Sequence, residues 1–378
     1  MARSRRSDGQ APARGPGQAH DTEARQLARA DALYEASDHA AADALYRQAL
    51  EHDPDCLEAL SGRAHTLAAL SAEAAPASLD ADAAARQAEE LCLVAGECYV
   101  RGLWPEAIDC YRRALAFASD SAEALWGVAD CHVSIGEDAE AIRWFHRYLE
   151  VEPDEPEALH MLAALGERPS PQRASDAYVA AHFDRFADSF DHQLVDELKY
   201  RVPELLLAAV APVVGAARGA LAILDLGCGT GLCGPLFRPF ARRLDGVDLS
   251  PGMLRQARAR GLYDRLTEAE IGGHLQATPR RYDVVLAADV LIYFGALAEI
   301  FGGIARVARP GGLLAFSAEA QPGANYRLMP SGRYAHARPY IRRVAAAAGW
   351  RALSLSREAL RFEYAEPVSG DIWVFEKA

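Results

Sequence analysis

Leu224-Asp225-Leu226-Gly227-Cys228-Gly229-Thr230-Gly231 follows the apolar run Leu221-Ala222-Ile223, and its reading decides the fold of the second half of the chain. The run has the length and composition of a buried parallel strand, and the glycines stop it abruptly. Apolar residues resume at Leu232, Leu236, Phe237 and Phe240, close to a helical period. Strand, glycine turn and helix together bring backbone N–H groups and a helix start against a ligand. Glycine belongs there because a Cβ would block close approach and strain the positive φ angles of the turn.

Farther on, Leu244-Asp245-Gly246-Val247-Asp248-Leu249-Ser250 supplies a second short strand with an acid at its carboxyl end. An acid in that place can accept both hydroxyls of a ribose, as nucleoside sites in open α/β sheets require. Two readings of the glycines compete. Gly229-x-Gly231-x-x-Gly234 matches a dinucleotide fingerprint, but its first glycine comes too late to close the strand. Counted from the strand end, the pattern is Asp225-x-Gly227-x-Gly229-x-Gly231, an acid followed by alternating glycines. That pattern resembles the S-adenosylmethionine loop of class I methyltransferases.

Composition limits the alternatives. The chain has 378 residues, 51% hydrophobic and 25% charged, which suits a globular protein of two or three domains. No apolar run approaches the roughly 20 residues that span a bilayer, so no membrane association is expected. The N-terminal arginines lack an apolar core behind them, so no secretory signal is expected. Seven cysteines without a C-x-x-C pair point to reduced thiols in a cytoplasmic compartment. Cys228 and Cys233 flank the glycine loop, but their spacing and the lack of a nearby histidine argue against zinc, and no metal is expected. Of the net charge of −13, the segment from Ala88 to His160 carries 16 acids against 5 Lys and Arg, a balance of −11. Nucleic-acid binding is therefore disfavoured.

Residues 1–20, rich in Gly, Pro and Arg, read as a disordered tail. From there to residue 168 the pattern is helical and repetitive. Gly102, Ala107, Tyr111, Ala114 and Leu115 recur 34 residues later as Gly136, Ala141, Phe145, Tyr148 and Leu149. Ser37, Ala42, Tyr46, Ala49, Leu50 and Pro54 keep the same spacing upstream, and the interval from Cys56 to Gln87 has room for a degenerate copy. Small residues let two antiparallel helices approach, an aromatic fills the gap, and proline ends the second helix. The period resembles that of tetratricopeptide repeats, although Leu91 and Cys98, or Leu125 and His132, replace the usual first-helix aromatics. Leu159-His160-Met161-Leu162 is expected in a terminal capping helix. Glu167-Arg168-Pro169-Ser170-Pro171 then reads as a linker, so the helical domain is placed at 21–168 and the second domain at 169–378, with a lid helix at about 176–200 and a core at 220–378.

Within the second domain, Phe183, Phe186 and Phe190 recur at three and four residues and so share a helix face. Met253 to Arg260 reads as a helix. Glu270-Ile271 follows a third strand, and Tyr282 to Asp289 forms a fourth, running into Val290-Leu291-Ile292-Tyr293. Arg309-Pro310-Gly311-Gly312 precedes a fifth. The runs beginning at Trp350 and at Ile372 suggest an antiparallel hairpin at the sheet edge. The whole arrangement resembles bacterial tetratricopeptide-containing class I methyltransferases: a Rossmann-like α/β domain behind an all-α repeat solenoid.

That resemblance implies S-adenosylmethionine as cofactor, held by Asp225, Gly227, Cys228, Gly229, Gly231, Asp248, Leu249, Glu270, Ile271 and Ala288, with Phe190 in a covering lid. It implies a methyl acceptor, small molecule or protein, with the repeats serving partner contacts or self-association. His336 is the candidate base by type. Tyr293 would position the acceptor, and Arg333 would hold an anionic one. Phe183, Phe186 and Tyr334 would line the acceptor pocket, roofed by the aromatic face and the loop carrying Arg333, Tyr334 and His336. Two other classes stay open: a repeat scaffold with an inactive methyltransferase fold, and an NAD-dependent oxidoreductase.

Overall fold

The computed structural model describes residues 16–74, 79–363 and 366–378. The chain falls into two compact units, the first ending at Pro153 and the second running from Asp154 to Ala378. The first is helical: α1 (Pro16–Glu35), α2 (His39–His52), α3 (Leu57–Glu73), α4 (Ala81–Val100), α5 (Trp104–Phe117), α6 (Ala122–Ser134) and α7 (Asp138–Val151). Residues 1–15 of the expected tail lie outside the described residues, and Pro16 to His20 already belong to α1.

The repeat is visible in the backbone. Ser37, Gly102 and Gly136, the equivalent positions, have φ of 63°, 76° and 76°, and each stands in the turn between two helices. Serine there carries a steric penalty that glycine avoids, roughly 1 kcal/mol. Ala42, Ala107 and Ala141 are fully buried where the helices approach. A Cβ added at Gly62 would stand 2.4 Å from the Tyr46 ring, and one at Gly127 would stand 2.3 Å from Tyr111. Small residue and aromatic thus interlock twice, 65 residues apart in the chain. The interval from Cys56 to Gln87 holds α3 and the start of α4, one helix short of a complete copy.

The second unit begins ahead of the proline linker, with α8 (Pro156–Ala164), the helix expected to cap the repeats. The contacts of α8 explain the difference. His160 Nε2 lies 2.8 Å from the Gly332 carbonyl oxygen, its ring stacks on Tyr178 at 4.6 Å, and Ala163 packs with Leu328 and Tyr334. Pro171 is likewise inside this unit, where its carbonyl accepts the Tyr334 hydroxyl at 2.7 Å.

After α8 come α9 (Asp176–Phe186), a π-helical turn (His192–Glu197) and α10 (Val202–Val214). The α/β core is β1 (Leu221–Leu226), α11 (Gly234–Phe237), β2 (Ala241–Asp248), α12 (Pro251–Arg260), β3 (Arg265–Glu268), α13 (Ile271–Ala277), β4 (Tyr282–Ala287), α14 (Ala298–Val307) and β5 (Ala308–Glu319). The chain ends with β6 (Tyr326–Leu328), β7 (Tyr334–His336), α15 (Arg338–Ala347), β8 (Trp350–Glu363) and β9 (Glu366–Lys377). The seven-stranded sheet has the order β3-β2-β1-β4-β5-β9-β8. β1 to β5 are parallel, and the β8–β9 hairpin joins β5 in antiparallel fashion, as the sequence suggests.

Strand periodicity builds two cores. Ala222, Leu224 and Leu226 of β1 face one apolar layer with α13 and α14, while Ile223 faces another with α10 and α11. Each fully buried Leu or Ile contributes about 1.5–3 kcal/mol, so both layers hold the carboxyl ends of the strands rigidly in place. Among the described residues no helix is long and apolar enough to cross a membrane. All seven cysteines are free thiols.

Candidate active site

Gly227, Gly229 and Gly231 all have positive φ (60°, 52° and 89°), so any other residue would be strained at each. Beyond that they differ. A Cβ at Gly227 would press on Val290 at 2.4 Å, and one at Gly231 would touch Tyr263 at 3.0 Å, whereas one at Gly229 would meet nothing within 4 Å. Gly229 therefore opens onto space, and the other two permit packing. Asp248, at the end of β2, accepts the Gly229 N–H at 2.8 Å through Oδ2 and the Ser250 N–H at 2.9 Å through Oδ1. Burial raises its pKa.

Asp225 is buried on β1. Its Oδ2 accepts the Tyr263 hydroxyl at 2.6 Å, while Oδ1 is buried without a partner. Desolvation pushes its carboxyl up to about 7. A buried acceptor left unpaired is costly, and a ligand donor would relieve that cost.

A cavity opens beside the loop, ≈ 690 Å³ counting the open solvent at its mouth. Gly227, Gly229, Asp248, Leu249, Glu270, Ile271 and Ala288 line it, together with Asp289 and Tyr293. A neighbouring recess, smaller than the first, is lined by Phe190, Tyr200, Asp225 and Cys228, and shares Gly227, Gly229 and Ala288 with it. The residues expected to hold the cofactor thus meet around two adjoining spaces. Gly231 lines neither and serves the packing of the loop. Glu270 reaches the cavity, while its two oxygens accept the N–H groups of Gly272 and Gly273 at 2.8 and 2.6 Å, capping α13. Desolvation drives both nearby thiols, Cys228 and Cys233, well above the ordinary range, so they are inert packing groups.

The covering segment has a second face that the phenylalanines overshadow in the sequence. Asp184 accepts the Ser250 hydroxyl and, at 2.9 Å, the Gly252 N–H at the start of α12. Asp188 accepts from Gln256 at 3.0 Å. Asp191 holds the Thr230 hydroxyl and the Arg260 guanidinium, whose Nε donates to the Thr230 carbonyl at 2.7 Å. Three aspartates at helical spacing therefore fix the segment to the glycine loop and to α12. Their spacing was the available signal. On the aromatic face, Phe183 lines the cavity, its ring 5.6 Å from Tyr293 and 5.9 Å from Phe190. Phe186 does not line it and packs its ring 5.3 Å from His182.

The expected acceptor roof is only half present. Tyr293 lines the cavity, and burial raises its phenol pKa, which makes it a neutral hydrogen-bond donor. His336 lies on β7, fully buried, with Nε2 2.8 Å from the Phe294 carbonyl oxygen and its ring stacked 6.0 Å from Tyr340. Burial lowers its pKa to about 4. It does not line the cavity, so the role of base is withdrawn. The pairing of β6 with β7 turns it inward. Tyr334, on the same strand, is fully buried, donates to Pro171 and does not line the cavity, so its acceptor role is withdrawn as well. Arg333 donates to Glu363 at 2.6 Å and lies 4.0 Å from Glu319. Its charge is committed within the protein, and it does not line the cavity.

Among the cavity residues not singled out in the sequence, Asp289 is the most tightly held. Asp289, just after β4, has φ 55°. Its N–H donates to Ser317 Oγ at 2.8 Å, and the Ser317 hydroxyl donates back to Oδ1 at 2.9 Å. Oδ2 accepts Arg361 Nη1 at 3.1 Å. Arg361 is only 3% exposed and also donates to Glu319 and Glu363. The Asp289 carboxylate is thus held from both sides, by Ser317 and by Arg361.

A dinucleotide site would set a pyrophosphate at the start of a long helix. Here the loop leads to α11, a single turn from Gly234 to Phe237. Strand order, glycine loop and terminal acids instead define the fold as that of class I methyltransferases.

The comparisons agree with that class. Residues 224–316 match the methyltransferase domain family, and residues 101–165 match the tetratricopeptide repeat. The chain thus carries a methyltransferase domain, with tetratricopeptide repeats ahead of it in the sequence. It is 37% identical over 138 residues to methyltransferase-like protein 27 of Homo sapiens, covering 35% of this chain and 54% of that one. It is 32% identical over 139 residues to the malonyl-[acyl-carrier protein] O-methyltransferase of Pseudescherichia vulneris, covering 37% and 52%. The chain therefore spans about half the length of the curated relatives it matches. Among solved structures, magnesium protoporphyrin IX methyltransferase from Synechocystis PCC 6803 with bound SAH aligns with a TM-score of 0.43 at 18% identity, over 54% of this chain and 99% of that one.

Proposed function

We propose that this protein transfers a methyl group from S-adenosylmethionine to an acceptor, with a small molecule favoured over a protein. The observation that carries the reading is the unpartnered, buried Oδ1 of Asp225 beside the open Gly229 and the acid Asp248. Asp248 would accept the ribose hydroxyls, Leu249 and Ile271 would enclose the purine, and Asp225 would meet the amino group of the methionyl arm. When bound, the cofactor supplies a methyl carbon already activated by a positively charged sulfur. The chain's own work is then alignment and exclusion of water. Phe183, Phe190 and Tyr293 cover the cavity, and Asp184, Asp188 and Asp191 hold that cover against the cofactor loop.

Relatives named as O-methyltransferases make an oxygen acceptor one option. The repeats would bring a partner or a second copy, the ordinary use of such helical arrays. The oxidoreductase alternative lacks the long helix that a pyrophosphate requires. A thermal-shift titration tests the proposal. S-adenosylhomocysteine at about 100 times its Kd should stabilise the chain by about 2.7 kcal/mol. No shift at any concentration would contradict it.

A further inference from the structure

The sheet order gives the cavity a direction. The ends of β3 and β2 present Glu270 and Asp248, the end of β1 presents Gly227, and the end of β4 presents Asp289 and Tyr293. Given the methyltransferase reading, on which this inference rests, the nucleoside lies toward β3 and the acceptor toward β4.

Charge is distributed unevenly along this path. Among the described residues lining the cavity, Arg173 is the one cation, against the carboxylates Asp176, Asp248, Glu270 and Asp289. Arg173 is itself ion-paired to Asp176. Behind the acceptor end, Arg361 and Arg333 face three carboxylates, Asp289, Glu319 and Glu363, and each guanidinium already has carboxylate partners. Two cations against three anions leave that end negative. An incoming carboxylate would lose its water and find no uncommitted cation, which is unfavourable in a partly buried site. An amine suits the same field, because carboxylates accept N–H groups.

We propose that the acceptor presents an amine, and that Asp289, held by Ser317 and Arg361, is the residue that selects it over a carboxylate. The amine enters the transfer uncharged. Its lone pair forms the new N–C bond, the C–S bonding pair remains with sulfur, and the surplus proton on nitrogen passes to bulk water. Asp289 acts by orienting the N–H groups, and the Ser317 hydroxyl bond fixes the direction of its carboxylate.

The test needs no knowledge of the natural acceptor. Two synthetic probes would be titrated calorimetrically into the full chain. Each is an adenosine linked through a 5′ nitrogen to the methionyl arm and to a two-carbon arm ending in either an ammonium or a carboxylate. S-adenosylhomocysteine is the reference. The ammonium probe should bind about tenfold tighter than the carboxylate probe, an ordinary effect of charge complementarity. Asp289→Asn should shrink that ratio while S-adenosylhomocysteine still binds. A carboxylate probe that binds as tightly as the ammonium probe, or tighter, overturns the proposal. An unchanged ratio in Asp289→Asn, with an unchanged melting temperature, overturns the role given to Asp289. Failure of S-adenosylhomocysteine itself to bind removes the methyltransferase reading, and this proposal with it.

Discussion

The Asp248 carboxylate accepts the backbone N–H of Gly229 at 2.8 Å, so the acid that ends β2 also shapes the loop that ends β1. One side chain thereby joins the two halves of the proposed nucleoside site. Asp248→Ala should weaken S-adenosylhomocysteine by about 1–3 kcal/mol through lost ribose bonds, and by more if the loop relaxes. Asp248→Asn keeps an acceptor oxygen and should lose less. Calorimetric Kd values for the two variants separate these contributions. Equal affinity for both variants and the unaltered chain would contradict the assignment.

The domain boundary carries the second prediction. Glu157 of α8 lies 3.0 Å from His182 of α9, and His160 reaches the Gly332 carbonyl. A fragment beginning at Asp154 should therefore fold and bind S-adenosylhomocysteine. One beginning at Ser170 leaves Tyr178 and Tyr334 without the helix that covers them, and should be less stable by several kcal/mol, the scale of losing buried side chains. Denaturant unfolding of the two fragments decides the point. Equal stability would return the boundary to the proline linker.

Asp225 predicts a pH dependence. Its folded pKa, about 7, is raised by burial, so its contribution to stability is present at low pH and is lost as pH rises from the unfolded value near 3.9 toward 7. Ligand binding has the opposite sign, because an amino group beside Oδ1 favours the ionised form. Affinity for S-adenosylhomocysteine should rise by up to about tenfold per pH unit below 7 and level off above it. Asp225→Asn should abolish that slope. Kd measured between about pH 5.5 and 8.5 reads it directly, and a flat profile in the unaltered chain would contradict the account.

His336 is a structural group. Its folded pKa is depressed to about 4, so its contribution to stability is present above the unfolded value near 6.5 and is lost as pH falls toward 4. His336→Ala should destabilise the fold by about 2–4 kcal/mol through the cavity it leaves and the unpaired Phe294 carbonyl. S-adenosylhomocysteine affinity should stay within about 1 kcal/mol, because the residue does not line the cavity. A large loss of affinity without loss of stability would restore it to the site.

What the sequence disclosed was local in origin. The glycine loop, the acid at Asp248 and the spacing of Gly102 and Gly136 are each written within a few neighbouring residues or one exact period. The fate of α8 was hidden because its apolar pattern would serve equally for stacking on a repeat or for packing on α9. His336 looked available because residues 319–338 read as a loop, and the short β6–β7 pairing that buries it leaves little trace in composition. Arg361 bonds Asp289 across 72 residues of chain, and no local pattern announces such a partner. The charge balance around Asp289, and with it the fate of Arg333, depended on contacts of that kind.

The central claim is that the cavity binds S-adenosylmethionine and its product. Isothermal titration of the full chain with S-adenosylhomocysteine and, separately, with NAD tests it most directly. The account predicts saturable one-to-one binding of S-adenosylhomocysteine, weakened in Asp248→Ala and Asp225→Asn, with NAD at least about a hundredfold weaker because α11 offers no long helix to its pyrophosphate. NAD binding tighter than S-adenosylhomocysteine would contradict it.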